Sequence, residues 1–165
     1  MTEEEKLQQA KQVYAALCSL FAENGYKYRK EDSQMQIGST VEGKNGKYSF
    51  YFQVSPQNAQ VHLILFMPFK VPQEKTDKYS LVITVLNSFL AAGCFALDAQ
   101  RDLAFFRMTN SFYDSTIDRE VFMQMLLNSG GTVDMLADKL GAFVAGKLDM
   151  EQLLSVLEQR LGEQK

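Results

Sequence analysis

The spacing of apolar residues changes twice along the chain, and the changes mark out its elements. Leu7, Ala10, Tyr14, Leu17 and Phe21 recur at three- and four-residue intervals, with Val13 and Leu20 widening the stripe, which predicts an amphipathic helix laid on a flat neighbour. Thr2 with Glu5 has the spacing of a capping box, and Asn24-Gly25 supplies a left-handed stop. From Tyr26 to Met67 the period falls to two: Met35, Ile37 and Val41, then Tyr48, Phe50, Phe52 and Val54, then Val61, Leu63, Leu65 and Met67. Such alternation predicts strands with one face toward a core. The intervening stretches EGKNGKY and SPQNAQ carry the Asn, Gly and Pro residues of tight turns, so neighbouring strands should pair antiparallel in a meander.

Beyond Pro68 and Pro72 helical spacing returns with Tyr79, Val82, Leu86 and Phe89 and ends at Gly93. The β-branched residues Val82, Ile83, Thr84 and Val85 weaken this helix on its own, so tertiary packing must hold it. Residues 93–108, GCFALDAQRDLAFFRM, read as strand, turn, strand, with Phe95 and Leu97 opposed to Cys94 and Ala96, and Leu103, Phe105 and Arg107 opposed to Ala104, Phe106 and Met108. Ser115 or Thr116 opens a helical C-terminal part. There Ile117, Val121, Phe122, Met125 and Leu126 lead into NSGG at 128–131, which ends or kinks the helix; Val133, Leu136, Leu140, Phe143 and Val144 resume the stripe, and Asp149 with Gln152 caps a last helix. The order α-β-β-β(-β)-α-β-β-α-α predicts an α+β fold, an antiparallel sheet of about five strands packed by helices, in a single domain over 1–165.

Composition narrows the function classes. A chain of 165 residues with 46% hydrophobic and 22% charged residues can bury a core without disulfides or a structural metal. Its net charge of −3 leaves no basic footprint for nucleic acid, and Lys27, Arg29 and Lys30 run straight into Glu31 and Asp32 as a solvated turn does. Cys18 and Cys94 sit in apolar contexts and read as small buried hydrophobes. The acidic start MTEEEKLQQAK lacks the features of a secretion signal, which fits a cytoplasmic location without disulfides. The charge-free run Tyr79–Leu97 is diluted by Ser80, Thr84, Asn87 and Ser88 and broken by Gly93, so a buried helix leading into a strand is expected, not membrane insertion.

Candidate chemistry is sparse. His62 is the single histidine, and a lone imidazole cannot assemble a His-rich metal site. Phosphate-loop, nucleophile-elbow, CxxC and HExxH patterns are missing, so no catalytic, cofactor or metal residue is assigned. An enzyme centred on His62 and Asp98 would need the two within hydrogen-bond reach, whereas Asp98 alone reads as a turn former. Phe106, Met108, Met125 and Met135 could wall a small-ligand pocket between sheet and C-terminal helices, making the chain a sensor. The strands facing the core with Phe50, Phe52, Leu63 and Leu65 also carry Tyr51, Ile64 and Phe66 on the opposite face. Either the C-terminal helices cover that face, or a protein or peptide partner does.

Two stretches carry a resemblance. GCFALDAQRDLAFFR resembles the glycine, aromatic, leucine, aspartate, turn and aromatic-arginine pattern of the YbjN-like family, bacterial proteins described as sensory transduction regulators, and FVAGKLDMEQLLSVLE resembles its closing helices. The likeness runs over roughly residues 10–160 and makes Gly93, Phe95, Leu97, Asp98, Phe106 and Arg107 fold-motif residues. The family commonly has a glycine late in the hairpin turn, where Asp102 stands here. The resemblance implies a fold similar to type III secretion chaperones, a homodimer, and a surface that binds extended segments of another protein. It transfers no catalytic residue. The expectation is a non-enzymatic interaction module, chaperone-like or regulatory.

Overall fold

Helix α1 (Glu3–Glu23) starts at the capping box: the Thr2 hydroxyl accepts from the Glu5 N–H at 3.2 Å and the Glu5 carboxylate accepts from the Thr2 N–H at 2.6 Å. Ala10, Val13, Leu17, Leu20 and Phe21 are its buried stripe, while Leu7 at the near end is exposed. Gly25 takes the left-handed conformation after it (φ +67). The structure, a computed structural model, describes residues 1–162; residues 163–165 of the predicted single domain lie outside the described residues.

Four strands follow, β1 (Arg29–Glu31), β2 (Gln36–Glu42), β3 (Lys47–Ser55) and β4 (Gln60–Lys70), then α2 (Thr76–Asn87), the hairpin β5 (Cys94–Asp98) and β6 (Leu103–Ser111), and helices α3 (Arg119–Val144) and α4 (Met150–Gly162). The sheet has six strands in the order β1-β2-β3-β4-β6-β5, all antiparallel. The sixth, beyond the expected five or so, is β1. Its three residues are all exposed, so no alternation could announce it. The meander continues into the hairpin through β6, which leaves β5 at the edge.

Phe50, Phe52, Leu63, Leu65, Phe95, Phe106 and Met108 form one face of the sheet and belong to the core. Phe21 of α1 lies 6.1 Å and 6.3 Å, ring to ring, from Phe50 and Phe52, and Phe122 of α3 lies 5.9 Å from Phe52. Helix α2 closes over β5, and α4 packs on α2 and α3. The fold is thus two layers, helices on one face of the sheet.

Three boundaries differ from the periodicity. Helix α2 ends at Asn87, not Gly93, because Phe89 turns to solvent (47% exposed) and the last turn tightens through the N–H groups of Ser88, Phe89 and Leu90. Helix α3 begins at Arg119, after Asp118. Ile117 stays buried just outside it, and with Phe122 occupies the two positions of a hydrophobic staple. The Gly130-Gly131 pair neither ends nor interrupts α3. Two glycines cost roughly 2 kcal/mol of helix propensity, but Phe122, Met125, Leu126, Val133, Leu136 and Leu140 bury a continuous stripe across them, and burial of that area outweighs propensity.

Candidate functional site

The pairing register sorts every strand residue onto one of two faces. Opposite the core face, one row crosses the sheet as Arg29, Gly38, Tyr51, Ile64, Arg107 and Cys94, and a second holds Phe66, Phe105 and Ala96. Tyr51 and Phe66 lie 5.9 Å apart, ring to ring. Tyr51, Ile64, Phe66 and Phe105 neither belong to the core cluster nor pack against it. Ile64 is nonetheless only 8% exposed, sheltered between its cross-strand neighbours. Because α1, α2 and α3 all pack on the core face, the C-terminal helices do not cover this second face. Of the two occupants left open by the strand pattern, the chain itself supplies none among the described residues.

The face is shaped and charged at its β1 end. Gly38 leaves a dip in the first row: a Cβ there would sit 3.3 Å from the Phe50 carbonyl oxygen and 3.7 Å from Tyr51 Cβ. The dip opens into a cleft of about 730 Å³ whose lining includes Lys27, Arg29, Gln36, Thr40, Ser49 and Tyr51. Burial pushes the Tyr51 hydroxyl pKa up, with Arg101 opposing. Further along the row, Arg107 directs a guanidinium N–H at the Cys94 sulfur, 3.9 Å away, and has no carboxylate partner among the described residues. His62 lies beside it, its Nδ1 3.0 Å from the Thr109 hydroxyl. Burial, and then the Arg107 charge, hold its pKa below the ordinary histidine value.

His62 and Asp98 do not meet. His62 pairs with Thr109 on β6 and Asp98 with Leu103 at the other end of that strand; six residues of strand separate them by about 20 Å. Asp98 instead fixes the β5–β6 turn, its Oδ1 accepting from the N–H groups of Gln100 (3.1 Å) and Arg101 (3.2 Å). The pocket reading also loses its walls. Phe106, Met108 and Met125 are core residues, and Met135 lines a separate cleft of about 660 Å³ beside the β2–β3 turn. Among the described residues no three His, Cys, Asp or Glu side chains gather as a metal site would require.

The remaining fold-motif residues cluster behind the site. Phe95 and Phe106 are cross-strand partners with rings 5.0 Å apart and edge to face, and Leu97 pairs with Ala104. Gly93 sits at φ +74, and a Cβ on it would lie 2.4 Å from the Phe106 ring. Asp102, where the resemblance would put a turn glycine, has a left-handed φ of +57, a conformation Asp tolerates better than most residues.

Sequence reasoning missed two polar anchors. Asp134, in mid-α3 and only 9% exposed, accepts from the N–H groups of Lys44 and Asn45 at 2.9 Å each and from the Tyr48 hydroxyl at 2.8 Å. Burial alone would raise its pKa, but those bonds outweigh it and hold the carboxyl below the usual range. It pins the β2–β3 turn to the helix layer. Asn87, at the end of α2, accepts from the Phe95 N–H (2.8 Å) and donates to the Phe95 carbonyl (2.9 Å), so one side-chain amide blunts the free edge of β5. The available signals were an acid flanked by apolar helix residues and a turn with unpartnered amides, which no local pattern connects.

Comparison with known proteins gives a family match. The family model YbjN, described as "putative bacterial sensory transduction regulator", matches residues 14–142. No curated protein and no solved structure matches the chain.

Proposed function

The chain belongs to the YbjN family, and from that premise we propose that it is a regulatory protein-interaction module that docks a protein partner on the helix-free face of its sheet, around Tyr51, Ile64 and Phe66. The observation that carries this reading is the two-sided apolar patterning of β3 and β4 combined with helices on one side only. A solvated sheet face is ordinarily polar, and half-buried aromatic side chains with no covering element favour a partner surface. The separation of His62 from Asp98 supports a non-enzymatic role. A chaperone-like mode of action, holding an extended segment of another protein in the cytoplasm, belongs to the same reading, as does the likeness to type III secretion chaperones.

Homodimerisation is a further part of it. A dimer compatible with docking leaves the outer face free and uses other surface, such as exposed Leu81 and Phe89 on and beyond α2. The test is affinity capture from the source cell with the native protein and with a Tyr51→Glu/Phe66→Glu variant of equal thermal stability. A partner retained by the native chain and lost by the variant supports the reading. One retained equally by both overturns it. Sedimentation equilibrium of the same pair reads the oligomeric state, which should be dimeric in both.

A further inference from the structure

The outer face carries its charge in a pattern that selects among partners. Arg29 and Arg107 lie in one cross-strand row with Gly38, Tyr51 and Ile64 between them. Neither has a carboxylate partner among the described residues, and two of the acids nearby are paired with other cations. Glu42 faces Lys47 at 3.9 Å, Asp98 holds the hairpin turn and faces Arg101 at 3.8 Å, and Glu31, which accepts from the Ser33 hydroxyl at 2.7 Å, is the one carboxylate in the cleft lining, set against Lys27, Arg29 and Lys30. The chain is acidic as a whole, yet this row presents two unpaired guanidinium groups flanking an apolar stretch. Guanidinium groups match carboxylates in fork geometry, and such charge-assisted bonds are the strong ones.

Spacing adds a second constraint. Arg29 and Arg107 stand four inter-strand steps apart, about 19 Å at roughly 4.8 Å per step. An extended peptide covers that span in about six steps, from its first residue to its seventh. With two-residue alternation, side chains at the first, third, fifth and seventh positions of such a peptide all point at the sheet. The third lies over the Gly38 dip, beside the Tyr51 ring in the next strand, and the fifth lies near Ile64.

Resting on the interaction reading above, we propose that this groove binds an extended acidic peptide segment lying across the strands, with one carboxylate on Arg29, another on Arg107, and apolar side chains between them over Gly38 and Ile64. A nucleic-acid strand fits poorly: its phosphates call for a continuous track of cations, whereas this row holds two, separated by Gly38, Tyr51 and Ile64.

The test is fluorescence anisotropy of the full chain with a labelled Glu-Ser-Leu-Ser-Phe-Ser-Glu peptide and with its counterpart ending in Lys at both sides. The acidic peptide should bind at least about tenfold more tightly, and Arg29→Gln and Arg107→Gln should each weaken it about tenfold, with thermal stability unchanged because both side chains are exposed. Equal affinity for the two peptides, no effect of either substitution, or tighter binding of a thymidine oligonucleotide would overturn the proposal. If capture of a protein still depends on Tyr51 and Phe66 while the acidic peptide shows no preference, the acidic ligand is wrong and the interaction surface stands. If neither peptide nor partner binds, both fall.

Discussion

Removing the Asp134 carboxylate is the sharpest test of how the sheet is held against its helices. In Asp134→Ala the buried Tyr48 hydroxyl, which donates to Oδ1 at 2.8 Å, loses its acceptor, at a cost of about 1–3 kcal/mol. The Lys44 and Asn45 amides lose charged acceptors too, but both residues are exposed and water replaces part of each bond, leaving about 0.5–1 kcal/mol apiece. Relief of the carboxylate's desolvation returns some of this. The net expectation is a loss of about 3 kcal/mol. With a urea slope of about 2 kcal/mol per molar for a chain of this size, the unfolding midpoint should fall by about 1.5 M. Tyr48→Phe in the Asp134→Ala background should then cost almost nothing, giving a coupling of at least about 1 kcal/mol in the double-mutant cycle. The pH dependence carries its own sign. The folded-state pKa of Asp134 is depressed, so its contribution is present above the unfolded value near 4 and fades as pH falls through the lower folded value. Asp134→Ala should therefore flatten the acid limb of the stability profile. A loss below about 1 kcal/mol, or additivity of the two substitutions, would refute the argument that this carboxylate pins the turn.

Three further outcomes follow from the geometry. Gly93→Ala should destabilise by about 2–4 kcal/mol in thermal unfolding, from the left-handed backbone and from a methyl forced against the Phe106 ring; a loss under about 1 kcal/mol would contradict the packing described. Asn87→Ala should cost about 1–2 kcal/mol and, by freeing the β5 edge, produce concentration-dependent association visible in light scattering; a variant that stays dispersed at high concentration would show that the amide is not what protects the edge. Proton NMR should place the His62 midpoint below the ordinary value of 6.5, and Arg107→Gln should move it upward; an unchanged midpoint would mean that the Arg107 charge does not reach the imidazole.

Local pattern carried much of this structure because period is a direct consequence of backbone geometry. Alternation in residues 35–67 follows from the two-residue pleat, and Thr2 with Glu5 declares a helix start through atoms within one turn of each other. The same alternation identified Tyr51, Ile64 and Phe66 as a second apolar face. It could not say what lies over them, since a strand records only that a position is apolar. Strand β1, all exposed, left no period to read. The end of α2 was misplaced because Phe89 keeps helical spacing while facing solvent.

The sequence by itself determined the α+β class, the strand and helix order, and which strand residues share a face, all properties of neighbours along the chain. Only the tertiary structure decided that β6 inserts between β4 and β5, that every helix settles on one side of the sheet, that α3 runs unbroken through two glycines, and that Asp134 reaches a turn some ninety residues away. These depend on contacts between distant segments, where burial of shared area and the satisfaction of polar groups outweigh local preference. The uncovered face, and with it the groove between Arg29 and Arg107, exists only as a result of those choices.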